Sequence, residues 1–107
     1  MTEPKKTRRQ MLEEFLAKKP DDPFSRYGLA MECMNTGDAP AADEHFRALL
    51  TRNADYIPAY LMYAQMLARE SRASEAKQVL STGIEAASKK GDQHARSEME
   101  SLLADLP

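Results

Sequence analysis

The chain repeats itself at an offset of 34 residues, and this constrains its fold more than any other feature. Ala42 and Ala76 are related by that offset, as are Ala30 and Ala64, and Ala39 and Ala73. The same spacing carries Phe46 to Leu80, Leu50 to Ile84, Leu29 to Tyr63 and Cys33 to Leu67, each exchanging one bulky apolar or sulfur-bearing residue for another. Gly37-Asp38 falls opposite Ser71-Arg72. A fixed period of this length is the signature of stacked supersecondary units.

The residues between the repeated positions say what each unit is made of. Ala, Leu, Met, Glu, Lys and Arg dominate, only four glycines occur, and β-branched residues are sparse, which is a helix-forming alphabet. No window sustains a two-residue alternation of apolar and polar residues, so no sheet is expected. Pro20-Asp21-Asp22-Pro23 separates the first two helices, with Asp22 as N-cap and Pro23 preset for the first turn. Gly37 supplies a left-handed residue after the second helix. Further breaks fall at Asn53–Pro58, Glu70–Ala73 and Lys90-Gly91-Asp92. They predict six helices, over residues 5–18, 23–35, 39–52, 57–70, 73–89 and 92–105. Short connections make successive helices antiparallel.

Within each unit a small residue precedes a bulky one by four positions, as in Ala42 and Phe46 or Ala76 and Leu80. Residues i and i+4 share a helix face, so the alanine lets a paired helix approach while the larger side chain fills the space one turn on. Enlarging either alanine would overpack the crossing at about 1–3 kcal/mol.

On these residues the stretch from Pro23 to about Ala87 resembles two tetratricopeptide repeats. The first helix of each unit carries Leu29-Ala30 or Tyr63-Ala64, and the second carries Ala42 with Phe46 or Ala76 with Leu80. The pattern departs from the family at Arg26, where a Trp is preferred, at Leu49, where a small residue is expected, and at Ala54, which replaces a terminal proline. The resemblance implies an all-α, short right-handed α-solenoid of antiparallel helix pairs within a single domain, 1–107. Its parts are a leading half-repeat helix (5–19), repeat 1 (23–56), repeat 2 (57–90) and a C-terminal capping helix (92–105). Met11, Leu12, Phe15 and Leu16 would close one end. Ala95, Met99, Leu102, Leu103 and Leu106 would close the other, against polar Arg96, Glu100, Ser101 and Asp105.

Size, charge and cysteine content narrow the function. The 107 residues suit one domain, and 42% apolar content is enough for a core. A formal net charge of −2 argues against nucleic acid, and no run approaches the ~20 apolar residues of a membrane span. The start, MTEPKKTRRQM, is basic, but Glu13 and Glu14 interrupt any following apolar stretch, which argues against a signal peptide. The single cysteine, Cys33, rules out an intrachain disulfide and suits a cytoplasmic location. Lys5, Lys6, Arg8 and Arg9 read as a solvated terminus, since no aromatic residues interleave them.

Catalytic chemistry finds no support. GxGxxG, P-loop, GxSxG and HExxH motifs are all absent. His45 stands in DEHF, where adjacent residues point different ways. His94 and Glu98 share a face at i, i+4, but two ligands are too few for a tetrahedral metal site. They read as a surface pair. Cys33, among Leu29, Ala30 and Met34, reads as a buried thiol. The expectation is a non-enzymatic protein with no cofactor, no metal and no catalytic residue.

One apolar stripe is left over. Phe24, Tyr27, Met31 and Met34 recur at spacings of three and four, on a different face from Leu29, Ala30 and Cys33. In the tetratricopeptide repeat family the first helices of successive units line a concave groove. The resemblance maps this stripe to that lining, with Leu61, Met62 and Gln65 extending it and Arg69 at its end. Met-rich apolar grooves adapt to amphipathic helices or extended peptides. The expected function is therefore a scaffold or adaptor that binds a protein or peptide partner about micromolar. The alternative is a structural homodimer joined through the same stripe. Relatives that grip a C-terminal carboxylate use Lys and Asn on these faces. The matching places here hold Tyr27, Met31 and Met62, so that clamp is not expected.

Overall fold

The computed structural model describes residues 5–107; residues 1–4, the start of the basic N-terminal stretch, lie outside the described residues. Six helices follow one another: α1 (Arg8–Lys18), α2 (Pro23–Asn35), α3 (Ala39–Arg52), α4 (Ile57–Arg69), α5 (Ala73–Lys90) and α6 (Gln93–Asp105). No strand occurs among the described residues. Two compact units divide them, one ending at Ala48 and the other beginning at Leu49.

The boundaries follow from local chemistry. Asp22 caps α2 by accepting from the Ser25 N–H at 2.9 Å, with Pro23 in the first turn. Asp38 caps α3 by accepting from the Ala41 N–H at 3.2 Å, and Asp92 caps α6 by accepting from the Ala95 N–H at 3.1 Å. The first helix starts three residues later than 5, at Arg8, because Thr7 forms a capping box with Gln10: each side chain bonds the other's backbone N–H. Gly37 and Gly91 take φ of 86° and 75°, the left-handed conformation that ends α2 and α5.

Thirty-four residues further on, the turns are kept and the side-chain caps are lost. Tyr56 and Arg72 occupy the places of Asp22 and Asp38, and neither side chain caps its helix. Arg72 instead clasps Glu75 with two bonds, at 3.0 and 2.6 Å. Ser71, opposite Gly37, is held at φ 61°, a conformation that costs a residue with a Cβ.

In the first unit α1 packs along α2. The two run antiparallel, since Arg8 at the start of α1 reaches Glu32 near the end of α2 at 3.5 Å. Leu16 is buried, and Leu12 lies against Gly28. The expectation that Met11 and Phe15 would help close this end is corrected: they are 53% and 43% exposed, because only the Leu12–Leu16 edge of α1 faces α2. Lys19 lies over the Phe15 ring at 5.9 Å.

In the second unit α4, α5 and α6 pack on one another. Lys90 at the end of α5 donates to the Asp55 carbonyl ahead of α4 at 3.2 Å, which fixes the antiparallel sense. Gly83 marks a close approach of α5 to α4 and α6. A Cβ there would stand 2.6 Å from Tyr60 Cβ and 2.6 Å from Met99 Sδ. On α6 Met99 is fully buried, Ala95, Leu102, Leu103 and, just past its end, Leu106 are partly buried, and Arg96, Glu100, Ser101 and Asp105 are exposed.

Five of the seven pairs related by 34 residues are buried in both members: Leu29, Ala30, Cys33, Ala42 and Phe46 in the first unit, Tyr63, Ala64, Leu67, Ala76 and Leu80 in the second. Ala39 and Ala73, and Leu50 and Ile84, are partly buried. Fully burying a side chain such as Phe46 or Leu80 contributes roughly 1.5–3 kcal/mol.

Candidate functional site

The α2 stripe begins at the helix's first turn, where the Asp22 cap and Pro23 fix the direction of the chain. Phe24 projects from that turn and is 75% exposed, the most exposed large apolar side chain among the described residues. Tyr27, Met31 and Met34 follow along the same face, each partly buried. The opposite face of the helix is closed by Leu29, Ala30 and Cys33. An exposed aromatic followed by two methionines is an adaptable apolar surface.

On α4, Leu61, Met62 and Gln65 are partly buried and Arg69 is exposed. The buried face of this helix is wider, taking Ile57, Ala59, Tyr60, Tyr63, Ala64, Met66 and Leu67. Each helix therefore presents its own part of the expected set.

Polar chemistry near the first unit's core is committed to structure. The Arg9 guanidinium donates to Asp38 at 2.8 Å, and that bond, with the Ala41 N–H, holds the Asp38 carboxyl below the usual carboxylate range. Two hydrogen bonds to the Ser25 residue do the same for Asp22. Burial pushes the Cys33 thiol up, away from the thiolate a nucleophile needs. Arg26, standing where a Trp is preferred, bonds His45 Nδ1 at 3.2 Å and donates to the Pro20 carbonyl at 3.1 Å.

Sequence reasoning did not find a cleft in the second unit. About 360 Å³ lies among Ala54, Asp55, Tyr60, Thr82, Glu85, Ala86, Lys89 and Lys90, within the size range of ligand pockets. The Tyr60 hydroxyl is already spent, donating to the Ala54 carbonyl at 2.6 Å, and burial raises its pKa. The two acids and two bases around the cleft balance, so it favours no singly charged ligand. The signal for it was the Lys89-Lys90 pair that ends α5, opposite the loop before α4.

His94 and Glu98 form the surface pair that their spacing predicts, 2.8 Å apart, with the histidine side chain 88% exposed. Among the described residues no three His, Cys, Asp or Glu side chains converge to hold a metal ion. No helix among them is long and apolar enough to cross a membrane.

The comparisons with known proteins agree on the fold. No protein-family profile matches the chain. A TPR repeat-containing protein of Pseudomonas aeruginosa is 28% identical over 95 residues, covering 89% of this chain and 90% of that one. The crystal structure of a tetratricopeptide repeat domain protein from Salinibacter ruber is 31% identical, with a TM-score of 0.73 over 78% of this chain and 93% of that one. A solution structure of a Bordetella parapertussis protein is 26% identical, with a TM-score of 0.81 over 94% of this chain and 88% of that one.

Proposed function

The chain belongs to the tetratricopeptide repeat family, and from that premise we propose that it is a non-enzymatic adaptor binding a peptide or amphipathic helix of a partner protein. A helical-repeat fold of this kind supports protein–protein interaction in general. The finer reading assigns the contact to the apolar, Met-rich face of α2, with Phe24, Tyr27, Met31 and Met34. The α4 face, with Leu61, Met62, Gln65 and Arg69, is assigned as a second contact surface.

One observation carries this assignment: Phe24 is 75% exposed at the head of a helix face that continues through partly buried Tyr27, Met31 and Met34, while Leu29, Ala30 and Cys33 are turned inward. An exposed aromatic beside flexible thioethers contributes little to folding. It is the kind of anchor around which binding energy concentrates. Partners are then read by apolar side chains at helical spacing, and affinity is about micromolar because the contact surface is small.

The test is an amide-shift titration of labelled protein with a library of amphipathic helical peptides. The proposal expects shifts centred on Phe24, Tyr27, Met31 and Met34, with a second group at Leu61, Met62 and Gln65. Shifts mapping to α3 and α5 alone, or none across the library, would remove it. Sedimentation over a range of concentrations separates self-association, for which a homodimer through the same α2 face is the competing outcome.

A further inference from the structure

Arg26 replaces the aromatic residue that the repeat pattern favours, and what it does instead belongs to this chain. Its Nη1 lies 3.2 Å from Nδ1 of His45 on α3, and its Nη2 donates to the Pro20 carbonyl, between α1 and α2, at 3.1 Å. A guanidinium has donors only and does not lose its proton in proteins. The nitrogen facing it must therefore offer a lone pair, which makes His45 the neutral tautomer with its proton on Nε2.

We propose that His45 is a proton-operated latch on the corner between α1 and α2: neutral, it holds the Arg26 guanidinium against the Pro20 carbonyl, and protonated, it lets go. A proton on Nδ1 would replace the acceptor with a donor and set two positive charges 3.2 Å apart. The imidazolium must turn away, and the guanidinium loses the partner that fixes its plane.

The surroundings set where this happens. His45 is partly buried, and burial followed by the nearby Arg26 charge pushes its pKa below the ordinary 6.5. Arg9 of α1 acts in the same direction, while Glu44 of α3 and Glu13 of α1 oppose it. Asp38, ahead of α3, also feels the His45 charge but is tied to Arg9 at 2.8 Å. That second tie depends on a carboxyl held below its ordinary 3.8, so it stays closed while the His45 tie opens. Mild acid consequently frees the Pro20 corner and leaves the start of α1 fastened.

The corner carries its own reporter, the Asp22 N–H, which donates to the Lys19 carbonyl at 3.2 Å. The experiment follows the His45 ring nitrogens, the Pro20 carbonyl shift and Asp22 amide exchange, corrected for intrinsic rate, from pH 8 to pH 5. The latch requires Nε2–H and a bare Nδ1 at pH 7.5. It also requires a single midpoint below 6.5 shared by all three signals, and Asp22 protection falling about fivefold, the factor one hydrogen bond is worth. In His45→Gln the side-chain oxygen still accepts from Arg26 and cannot titrate, so the Pro20 and Asp22 signals stay flat. In Arg26→Gln the His45 midpoint rises and Asp22 protection stays at the lower, about fivefold reduced level throughout. A proton on Nδ1 at pH 7.5, or Pro20 and Asp22 signals that ignore the His45 titration, would overturn the latch. So would the same transition persisting in His45→Gln.

Discussion

Replacing Gly83 by alanine would ordinarily stabilise a helix, and in this chain it should do the opposite. Gly83 lies inside α5, where a glycine costs about 1 kcal/mol relative to alanine. The added methyl would sit 2.6 Å from Tyr60 Cβ and 2.8 Å from Tyr60 Cγ, against an ordinary carbon contact of about 3.5–4.0 Å. Met99 Sδ, also 2.6 Å away, can swing aside because its side chain is flexible. Tyr60 cannot. Its Cβ is one bond from the α4 backbone, and its hydroxyl is anchored on the Ala54 carbonyl. The shortfall of about 1 Å must come from moving α5 away from α4, an overpacking cost of about 1–3 kcal/mol that exceeds the propensity gain. The expected net loss is about 1–2 kcal/mol. In urea that lowers the midpoint by about 0.5–1 M with the slope unchanged. Gly28→Ala is the control. Its methyl meets only Leu12, at 3.6 Å, so the propensity gain of about 0.5–1 kcal/mol should survive. If Gly83→Ala stabilises as much as Gly28→Ala, the close-approach reasoning is refuted.

Other expectations can be checked with the same urea series. Ala42→Leu should destabilise by about 1–3 kcal/mol, since Ala42 is fully buried and a larger side chain there must displace its neighbours. Ser71→Gly should stabilise by about 0.5–1 kcal/mol by removing the Cβ from a left-handed turn, and Gly37→Ala should destabilise by a similar amount. Phe24→Ala should change stability by less than about 0.5 kcal/mol while abolishing peptide-induced shifts on α2, because its side chain is mostly in water. The Asp38 carboxyl is held below its ordinary 3.8, so its stabilisation is complete above that value and disappears as pH falls through the lower folded-state value. Asp38→Asn should flatten the acid side of a stability–pH curve below about pH 4, and an unchanged acid limb would count against the Arg9–Asp38 tie.

The helix order was legible because its punctuation is local. Asp22-Pro23 and Gly37-Asp38 announce the ends of α2 by chemistry that needs no tertiary partner, and both bounds of α2 and the start of α3 were placed on them. The capping box at the start of α1 was equally local, a Thr followed three residues later by Gln, and reading it would have placed that start at Arg8. The α2 stripe was legible as a pattern, and the periodicity separated it from the Leu29–Cys33 face. Its degree of exposure was not, because Phe24, 75% exposed, and Phe46, fully buried, each stand in an apolar helical pattern. What cannot be read locally is which groups meet across helices. The Arg26–His45–Pro20 link joins residues 19 and 6 positions apart, and Gly83 meets Met99 only because α6 folds back over α5.

The account rests on helix pairs that nest where a small residue admits a neighbour, and at Gly83 a single added Cβ would stand 2.6 Å from two neighbours. Nuclear Overhauser spectra of labelled protein measure it directly. Strong cross-peaks from the Gly83 α-protons to both the Tyr60 β-protons and the Met99 methyl are the predicted result. Gly83 α-protons that reach only their own helix would contradict it.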